Sequence, residues 1–138
     1  MKRSYDVRTV AFACGTDAKW VDNLLSHYTL PGVTKARQGV QRRISDEGLL
    51  TVEVIRLLNQ EVGVSIARAV HIAGAAMASM SGDSVQISLA PQCDLRIDVA
   101  QVEQRLRREV INAMEALAHV TRGRPRHTGA RETKKRRA

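Results

Sequence analysis

The spacing of apolar side chains in the first part of the chain predicts two short helices joined by a tight turn. An apolar run at residues 9–13 comes just before Gly15, and glycine accepts the positive φ that such a turn requires. Thr16 or Asp17 can cap the second helix, because their side-chain oxygens accept hydrogen bonds from its free N–H groups. This helix runs to about Ser26 and carries an apolar stripe on one face.

A basic hairpin and two more helices are predicted next. Residues 33–44 alternate apolar and basic positions around Gly39, which fits a small hairpin with basic edges. Ser45 followed by two acidic residues is typical of a helix start, and the apolar positions of this third helix continue to Gly63. Ser65 begins a fourth helix, whose later residues are small enough for close helix packing.

The second half of the chain predicts a β-hairpin and a long helix. Residues 85–89 and 95–99 alternate with period two, and Pro91 and Asp94 mark the turn between them. A helical apolar stripe then extends over about residues 100–120. A lone hairpin is only marginally stable in water. The hairpin and helix therefore either pair with a second copy of the chain or fold back onto the first domain, and we favour a homodimer.

Together these elements predict a mainly α protein with a small β content. We expect a first domain over residues 1–80, a hairpin plus helix for dimerisation over 81–120, and a basic, disordered tail over 121–138. The tail holds eight basic side chains and one acidic side chain, a net charge of +7 out of +8 for the whole chain. Such a tail binds polyanions, meaning nucleic acid or an anionic membrane surface.

Other function classes find little support in the sequence. No apolar run reaches the roughly 20 residues that span a bilayer, and the first residues lack the apolar stretch of a signal peptide. We therefore expect a cytoplasmic, nucleoid-associated protein that does not contact membranes. Cys14 and Cys93 are too few for a disulfide scaffold or a metal cluster, and we interpret Cys14 as a buried thiol. The histidines show neither metal-ligand spacing nor pairing with a nucleophile, so we expect no enzyme activity, metal or cofactor.

Several segments of the first half resemble the MerR-type winged helix-turn-helix DNA-binding domain, over roughly residues 5–73. Residues 9–15 read TVAFACG, which is similar to the T/S-V-A-x-x-A/C-G start of the family's helix-turn-helix. Residues 39–45 read GVQRRIS, like the segment that closes the family's wing, and residues 63–66 read GVSI, like its later G-x-S-[IL] step. The resemblance implies a winged helix-turn-helix, followed here by the β-hairpin and the C-terminal helix.

The resemblance also implies which residues contact DNA. The second helix would lie in the major groove, where exposed polar side chains reach base edges. Its candidate residues are Thr16, Lys19, Trp20, Asn23 and His27. The hairpin would be a wing that contacts phosphates, which fix register without reading sequence. Its candidate residues are Lys35, Arg37, Arg42 and Arg43. A dimer would present two such units to a two-fold site, and we expect no small-molecule effector because the chain has no room for a separate ligand domain.

A second resemblance lies in the tail, where residues 122–126 read RGRPR. This segment is similar to the AT-hook, whose RGRP core lies extended in the minor groove of A·T-rich DNA. The glycine permits close approach of the backbone, and the arginines enter the narrow groove. The implied contact residues are Arg122, Gly123, Arg124, Pro125 and Arg126. With or without such a hook, the tail can neutralise phosphates and bind DNA nonspecifically.

The sequence thus favours a transcription regulator that binds double-stranded DNA, and three alternatives stay open. An architectural, nucleoid-associated protein with little base preference would rely on the tail. A protein-interaction module, such as an antitoxin or adaptor, would use the small-residue helix at 66–80 and the hairpin. An RNA-binding protein is less favoured, because only 3% of the residues are aromatic and able to stack on bases.

Overall fold

The computed structural model describes residues 3–34, 39, 41–80 and 82–123, with side chains described as far as residue 118. This part of the chain is mainly helical, with two small antiparallel sheets, which confirms the coarse fold prediction. The elements in chain order are β1 Ser4–Tyr5, α1 Val7–Cys14, α2 Ala18–His27, β2 Ile44–Ser45, α3 Asp46–Arg56, a π-helical segment Leu57–Glu61, α4 Ile66–Ala78, β3 Ser84–Ala90, β4 Cys93–Asp98 and α5 Val99–Gly123.

The first two helices are joined as the sequence predicts. Asp6 begins α1, because its carboxylate accepts a hydrogen bond from the Thr9 amide at 2.8 Å. Gly15 ends the helix at a φ of 69°, in the left-handed region that glycine adopts without strain. Asp17 occupies the position before α2, although its side chain makes no capping hydrogen bond.

The base of the predicted hairpin is present, and it pairs with an additional strand. Val33 and Ile44 form an isolated β-bridge, and the Thr34 amide donates to the Arg43 carbonyl at 3.0 Å. On its other side β2 pairs with β1, with Tyr5 opposite Ile44. The sequence did not predict β1, because two residues are too short to show an alternating pattern. Of residues 35–40, the structure describes only Gly39.

The second half of the chain folds back onto the first half, which is one of the two arrangements that the sequence left open. α5 packs along α1, and β3 packs against α4. Arg68 on α4 also donates a hydrogen bond to the Leu89 carbonyl on β3. One apolar cluster joins both halves. Its members include Val10, Val21, Ile44, Val52, Ile55, Leu58, Val85, Ile87, Ile97, Val99, Leu106 and Val110. The hairpin and α5 therefore complete a core within one chain.

Two predicted helix boundaries need correction. The third helix becomes α3 followed by the π-helical segment, rather than one uniform helix to Gly63. α5 continues to Gly123, beyond the predicted end at about residue 120, so Arg122 and Gly123 lie in the last turn of this helix. The helix can continue because no residue breaks it before Pro125, which disfavours helical backbone in the residue that precedes it.

The remaining tail residues, 124–138, lie outside the described residues. Among the helices that the structure describes, none is both long and apolar enough to cross a membrane.

Candidate nucleic-acid interface

The exposed face of α2 carries a row of polar side chains. Lys19, Asn23 and His27 follow one another at intervals of four residues and are all exposed, so they lie along one side of the helix. The opposite side is buried through Val21, Leu24 and Leu25. This amphipathic arrangement holds the polar row outward on a helix that is fixed to the core, as contact with base edges requires.

Two other residues that the sequence assigned to DNA contacts, one in α2 and one just before it, point partly inward. Trp20 is half-buried and packs against the apolar cluster. Thr16, just before α2, is also half-buried, and its hydroxyl accepts a hydrogen bond from the Gln60 side chain at 3.0 Å. Gln60 belongs to the π-helical segment, so that segment supports the start of α2. These two residues position the helix rather than extend its exposed row.

Arg42 lies against α2, although the sequence assigned it to phosphate contacts. One of its guanidinium nitrogens is 3.3 Å from each of three α2 acceptors, namely the Asp22 carbonyl, the Asp22 carboxylate and the Ser26 hydroxyl. The Arg42 side chain is only 16% exposed, whereas that of Asp22 is 63% exposed. Arg42 therefore holds the extended segment before β2 against α2.

Arg43 points the other way, as alternate residues of an extended chain do. Its guanidinium donates to the Ser4 hydroxyl at 3.2 Å and to the Ser4 carbonyl at 3.3 Å. Its backbone amide donates to the Thr34 hydroxyl at 2.9 Å. Arg43 remains exposed, so its charge stays on the surface while its position is fixed. The two neighbouring arginines thus secure the base of the hairpin from both sides.

A groove lies beside the contacts between Arg42 and α2, and it is bordered by the first turn of α1 and by α2. It has a volume of about 430 Å³, and its lining includes Arg8, Asp22, Ser26 and Arg42. Sequence reasoning did not select Arg8 or Asp22 as contact residues, because it began the first helix at Thr9 and chose only basic, aromatic and amide side chains on the second. Their positions follow from contacts between distant segments, which no local pattern reveals.

Asp6 stays ionised at the edge of this groove. Burial acts to raise the pKa of its carboxyl, but the hydrogen bonds from Thr9 and the charges of Arg43 and Arg8 outweigh burial and lower it. The negative charge of Asp6 stabilises α1, because it lies at the positive, N-terminal end of the helix dipole.

The remaining predicted contact residues lie either outside the described residues or at the end of α5. Lys35 and Arg37 lie outside the described residues, as do Arg124, Pro125 and Arg126. Arg122 and Gly123 are in the last turn of α5. The exposed row of α2 and the braced arginines are therefore the parts of the predicted interface that the structure brings together.

The described residues contain no group of three or more His, Cys, Asp or Glu side chains placed to hold a metal ion. Cys14 is buried as predicted, and Cys93 is exposed. Burial raises the pKa of the Cys14 thiol, and the neighbouring Glu53 carboxylate raises it further, so Cys14 is a neutral thiol.

Comparisons with protein-family models, curated proteins and solved structures find no match for this chain.

Proposed function

We propose that this protein is a transcription regulator that binds double-stranded DNA through a MerR-like winged helix-turn-helix, and that it is not an enzyme. The observation that carries the proposal is the exposed row of Lys19, Asn23 and His27 on α2, next to a basic segment that Arg42 braces against the same helix. In this interpretation α2 enters the major groove, and the hairpin beside it contacts phosphates.

The charge distribution supports DNA as the partner. Seven of the eight net positive charges lie in residues 121–138, so the rest of the chain is nearly neutral. A nearly neutral body suits recognition by specific hydrogen bonds, while a cationic tail supplies affinity that is independent of sequence. The same tail is the feature that favours the second candidate function, an architectural protein with low base preference. A protein-interaction module remains the third candidate, and loss of DNA binding in the tests below would favour it.

We further propose that the protein is a homodimer, now through α5 rather than through the hairpin. Ile111 and Met114 are 56% and 60% exposed, on a helix whose opposite face is buried in the core. Together with Arg107 and Ala118 they recur at the 4-3-4 spacing of a coiled-coil seam. Pairing two copies along this seam would cover both apolar side chains and give the complex two α2 helices for a two-fold site.

The proposal is tested by selection of duplexes from a random pool by the full chain and by a chain ending at Gly123. We expect both to enrich the same sequence, because α2 reads bases and the tail does not. Asn23→Ala should change the preferred base at one or two positions, since a side-chain amide contact is worth about 1–3 kcal/mol of discrimination. Asn112→Ala, which removes an exposed amide on α5, is the matched control and should change nothing.

Two outcomes would contradict the regulator. If all binding is lost with the tail, the architectural protein or the interaction module is favoured. If the full chain binds every duplex equally and Asn23→Ala has no effect, α2 does not read bases.

A further inference from the structure

A groove separate from the proposed DNA-binding face lies between β4, the first turns of α5 and the π-helical segment. Its volume is about 640 Å³, within the range of small-molecule sites. Its lining combines apolar and charged residues. The apolar residues are Leu57, Val62, Leu95, Ile97 and Val102, and the charged residues are Glu61, Arg96, Asp98, Arg105 and Arg108. We call this feature the arginine groove.

Both acidic residues of the arginine groove already have partners. The Asp98 carboxylate caps α5, because it accepts a hydrogen bond from the Gln101 amide at 3.1 Å. The Glu61 carboxylate lies 3.3 Å from the Arg56 guanidinium. The acids are therefore committed to contacts within the fold and are not arranged to neutralise the arginines around them.

Two of the three arginines have no such partner. The Arg96 and Arg108 side chains make no hydrogen bond or ion pair within the part of the chain that the structure describes, and both residues are exposed. Arg105 lies 3.3 Å from the Glu53 carboxylate. That same carboxylate oxygen already receives two hydrogen bonds from Arg56, at 2.6 and 2.8 Å, so Arg105 adds only a longer ion pair to it.

We propose that the arginine groove binds an organic anion with an apolar body, such as an aliphatic or aryl carboxylate. Planar guanidinium groups pair with carboxylates in a two-pronged geometry and remain charged at every physiological pH. The apolar side chains of the groove would cover the body of the same molecule and remove it from water. The site combines one strand, one helix and a π-helical segment, an irregularity that is frequent at functional sites.

The composition of the groove selects this class over its competitors. A neutral apolar ligand would displace water from the guanidinium groups without replacing its hydrogen bonds, which is costly. Inorganic phosphate would pair with the arginine side chains but leave the apolar side chains of the groove in water. A ligand that carries both features can contact both the arginines and the apolar side chains of the groove. This differs from the sequence analysis, which expected no effector, because residues 57–62 and 95–108 come together only in the fold.

The test is calorimetric titration of the full chain with decanoate, below its micelle concentration, with 1-decanol and inorganic phosphate as comparison ligands. We expect one decanoate per chain, and much weaker binding of both comparison ligands. Arg96→Gln with Arg108→Gln should weaken decanoate binding about tenfold or more, since each removes a charge-assisted contact. Arg3→Gln is the matched control. It removes an exposed arginine that lines neither this groove nor the α5 seam, and it should leave the affinity unchanged.

Three results would overturn the proposal. They are no saturable binding of decanoate, equal binding of 1-decanol, and an unchanged affinity in the Arg96 and Arg108 variant. The last would mean that the cationic tail captures the anion, because the tail is the same in every variant. Circular dichroism of each variant checks the fold, and Arg108→Lys keeps the charge if the glutamine variants do not fold. None of these measurements uses DNA, so their failure is distinct from a failure of the proposed function.

Discussion

Arg42 shows how a single contact changes the role of a residue. The sequence placed it among the phosphate contacts because it is basic and lies in the hairpin. In the structure its guanidinium is occupied by Asp22 and Ser26 of α2, and its side chain is largely buried. Its charge is thereby partly neutralised by a carboxylate that is itself exposed on the proposed recognition helix. The residue to alter is therefore Asp22 rather than Arg42.

We predict that Asp22→Asn strengthens DNA binding. The amide oxygen of asparagine can still accept the hydrogen bond from Arg42, so the brace is kept, while a negative charge close to the phosphates is removed. At low salt we expect a gain of about 0.5–1 kcal/mol in the binding free energy, roughly two- to fivefold in affinity, on all sequences alike. The measurement is a fluorescence-anisotropy titration across a salt series.

The matched control is Asp83→Asn, which removes an exposed carboxylate from the turn before β3. It should produce a smaller gain, because only the net charge changes. If Asp22→Asn and Asp83→Asn have equal effects, the α2 face is not where DNA lies. If Asp22→Asn weakens binding, the carboxylate itself is needed to hold Arg42.

Local patterns predicted α2 and its exposed row, because a helix of ten residues with one apolar face is readable from spacing alone. They could not predict what fixes this helix. The Thr16–Gln60 and Ser4–Arg43 hydrogen bonds join residues that are 44 and 39 positions apart. Side-chain partners at such separations depend on how whole elements pack, so polar residues in the sequence divide into exposed and supporting ones only once the fold is known.

The junction between the loop at Gly32 and the start of α3 depends on close contact between two glycines. Gly32 has a φ of 77°, and its carbonyl accepts a hydrogen bond from the Ser45 amide at 2.8 Å. A methyl group on Gly32 would lie 2.5 Å from the Gly48 amide nitrogen and closer still to the Ser45 hydroxyl. Ser45 in turn caps α3 through the Gly48 amide. The backbone of the loop at Gly32 is thus packed directly against the backbone at the start of α3.

We predict that Gly32→Ala destabilises the fold much more than Gly63→Ala. Both glycines have positive φ, 77° and 88°, so alanine at either position costs about 1–2 kcal/mol in backbone strain. Only Gly32 is crowded, which adds about 1–3 kcal/mol for overpacking. Urea unfolding of the two variants measures the difference. Equal losses would mean that the contact between the loop and α3 is not tight in solution.

At the level of elements, the sequence predicted the helices with strong periodicity and missed what periodicity does not encode. β1 is two residues long, and the π-helical segment has the same apolar pattern as the helix it continues. The sequence left the packing partner of the β-hairpin open. An apolar face predicts that the hairpin is buried, but it does not show whether the first domain or a second copy of the chain covers it. The structure covers that face with α4 and α5 of the same chain.

We predict that the dimer depends on the exposed seam of α5. Ile111→Gln with Met114→Gln should raise the dimer dissociation constant by about tenfold or more, because each apolar side chain that stays in water forfeits about 1.5–3 kcal/mol. Met80→Gln is the control, since Met80 is an exposed methionine that follows α4 and is not part of α5. Sedimentation equilibrium reports both. A wild-type chain that is monomeric at high concentration would contradict the dimer, as would a seam variant that stays dimeric.

On the scale of the whole molecule, the two proposed sites share one structural segment. Residues 57–62 form a wall of the arginine groove, and Gln60 within them donates to Thr16 at the start of α2. An anion in the groove would also neutralise positive charge on the protein. It would contact Arg105, which links α5 to the buried Glu53 on α3 through an ion pair. Under the two proposals, an anion in the groove and DNA on α2 would therefore both act on the π-helical segment and on the positive charge of the protein.

Coupling between the sites is the last prediction, and it rests on both proposals. Saturating decanoate should lower DNA affinity about fivefold, and saturating DNA should lower decanoate affinity by the same factor, because linkage between two binding sites is reciprocal. Gln60→Ala should reduce this factor without changing the affinity for decanoate alone, since it removes the contact with Thr16 and leaves the lining of the groove intact. Gln86→Ala, which removes an exposed side-chain hydrogen bond within the β-hairpin, is the control.

The outcomes separate two routes of coupling. If Gln60→Ala keeps the full factor, the effect is electrostatic and should fade as salt is raised. If the factor falls in Gln60→Ala and survives in Gln86→Ala, the π-helical segment transmits it to α2. If decanoate binds and DNA affinity does not change, the arginine groove serves a purpose unrelated to DNA, and the coupling is refuted while the groove itself stands.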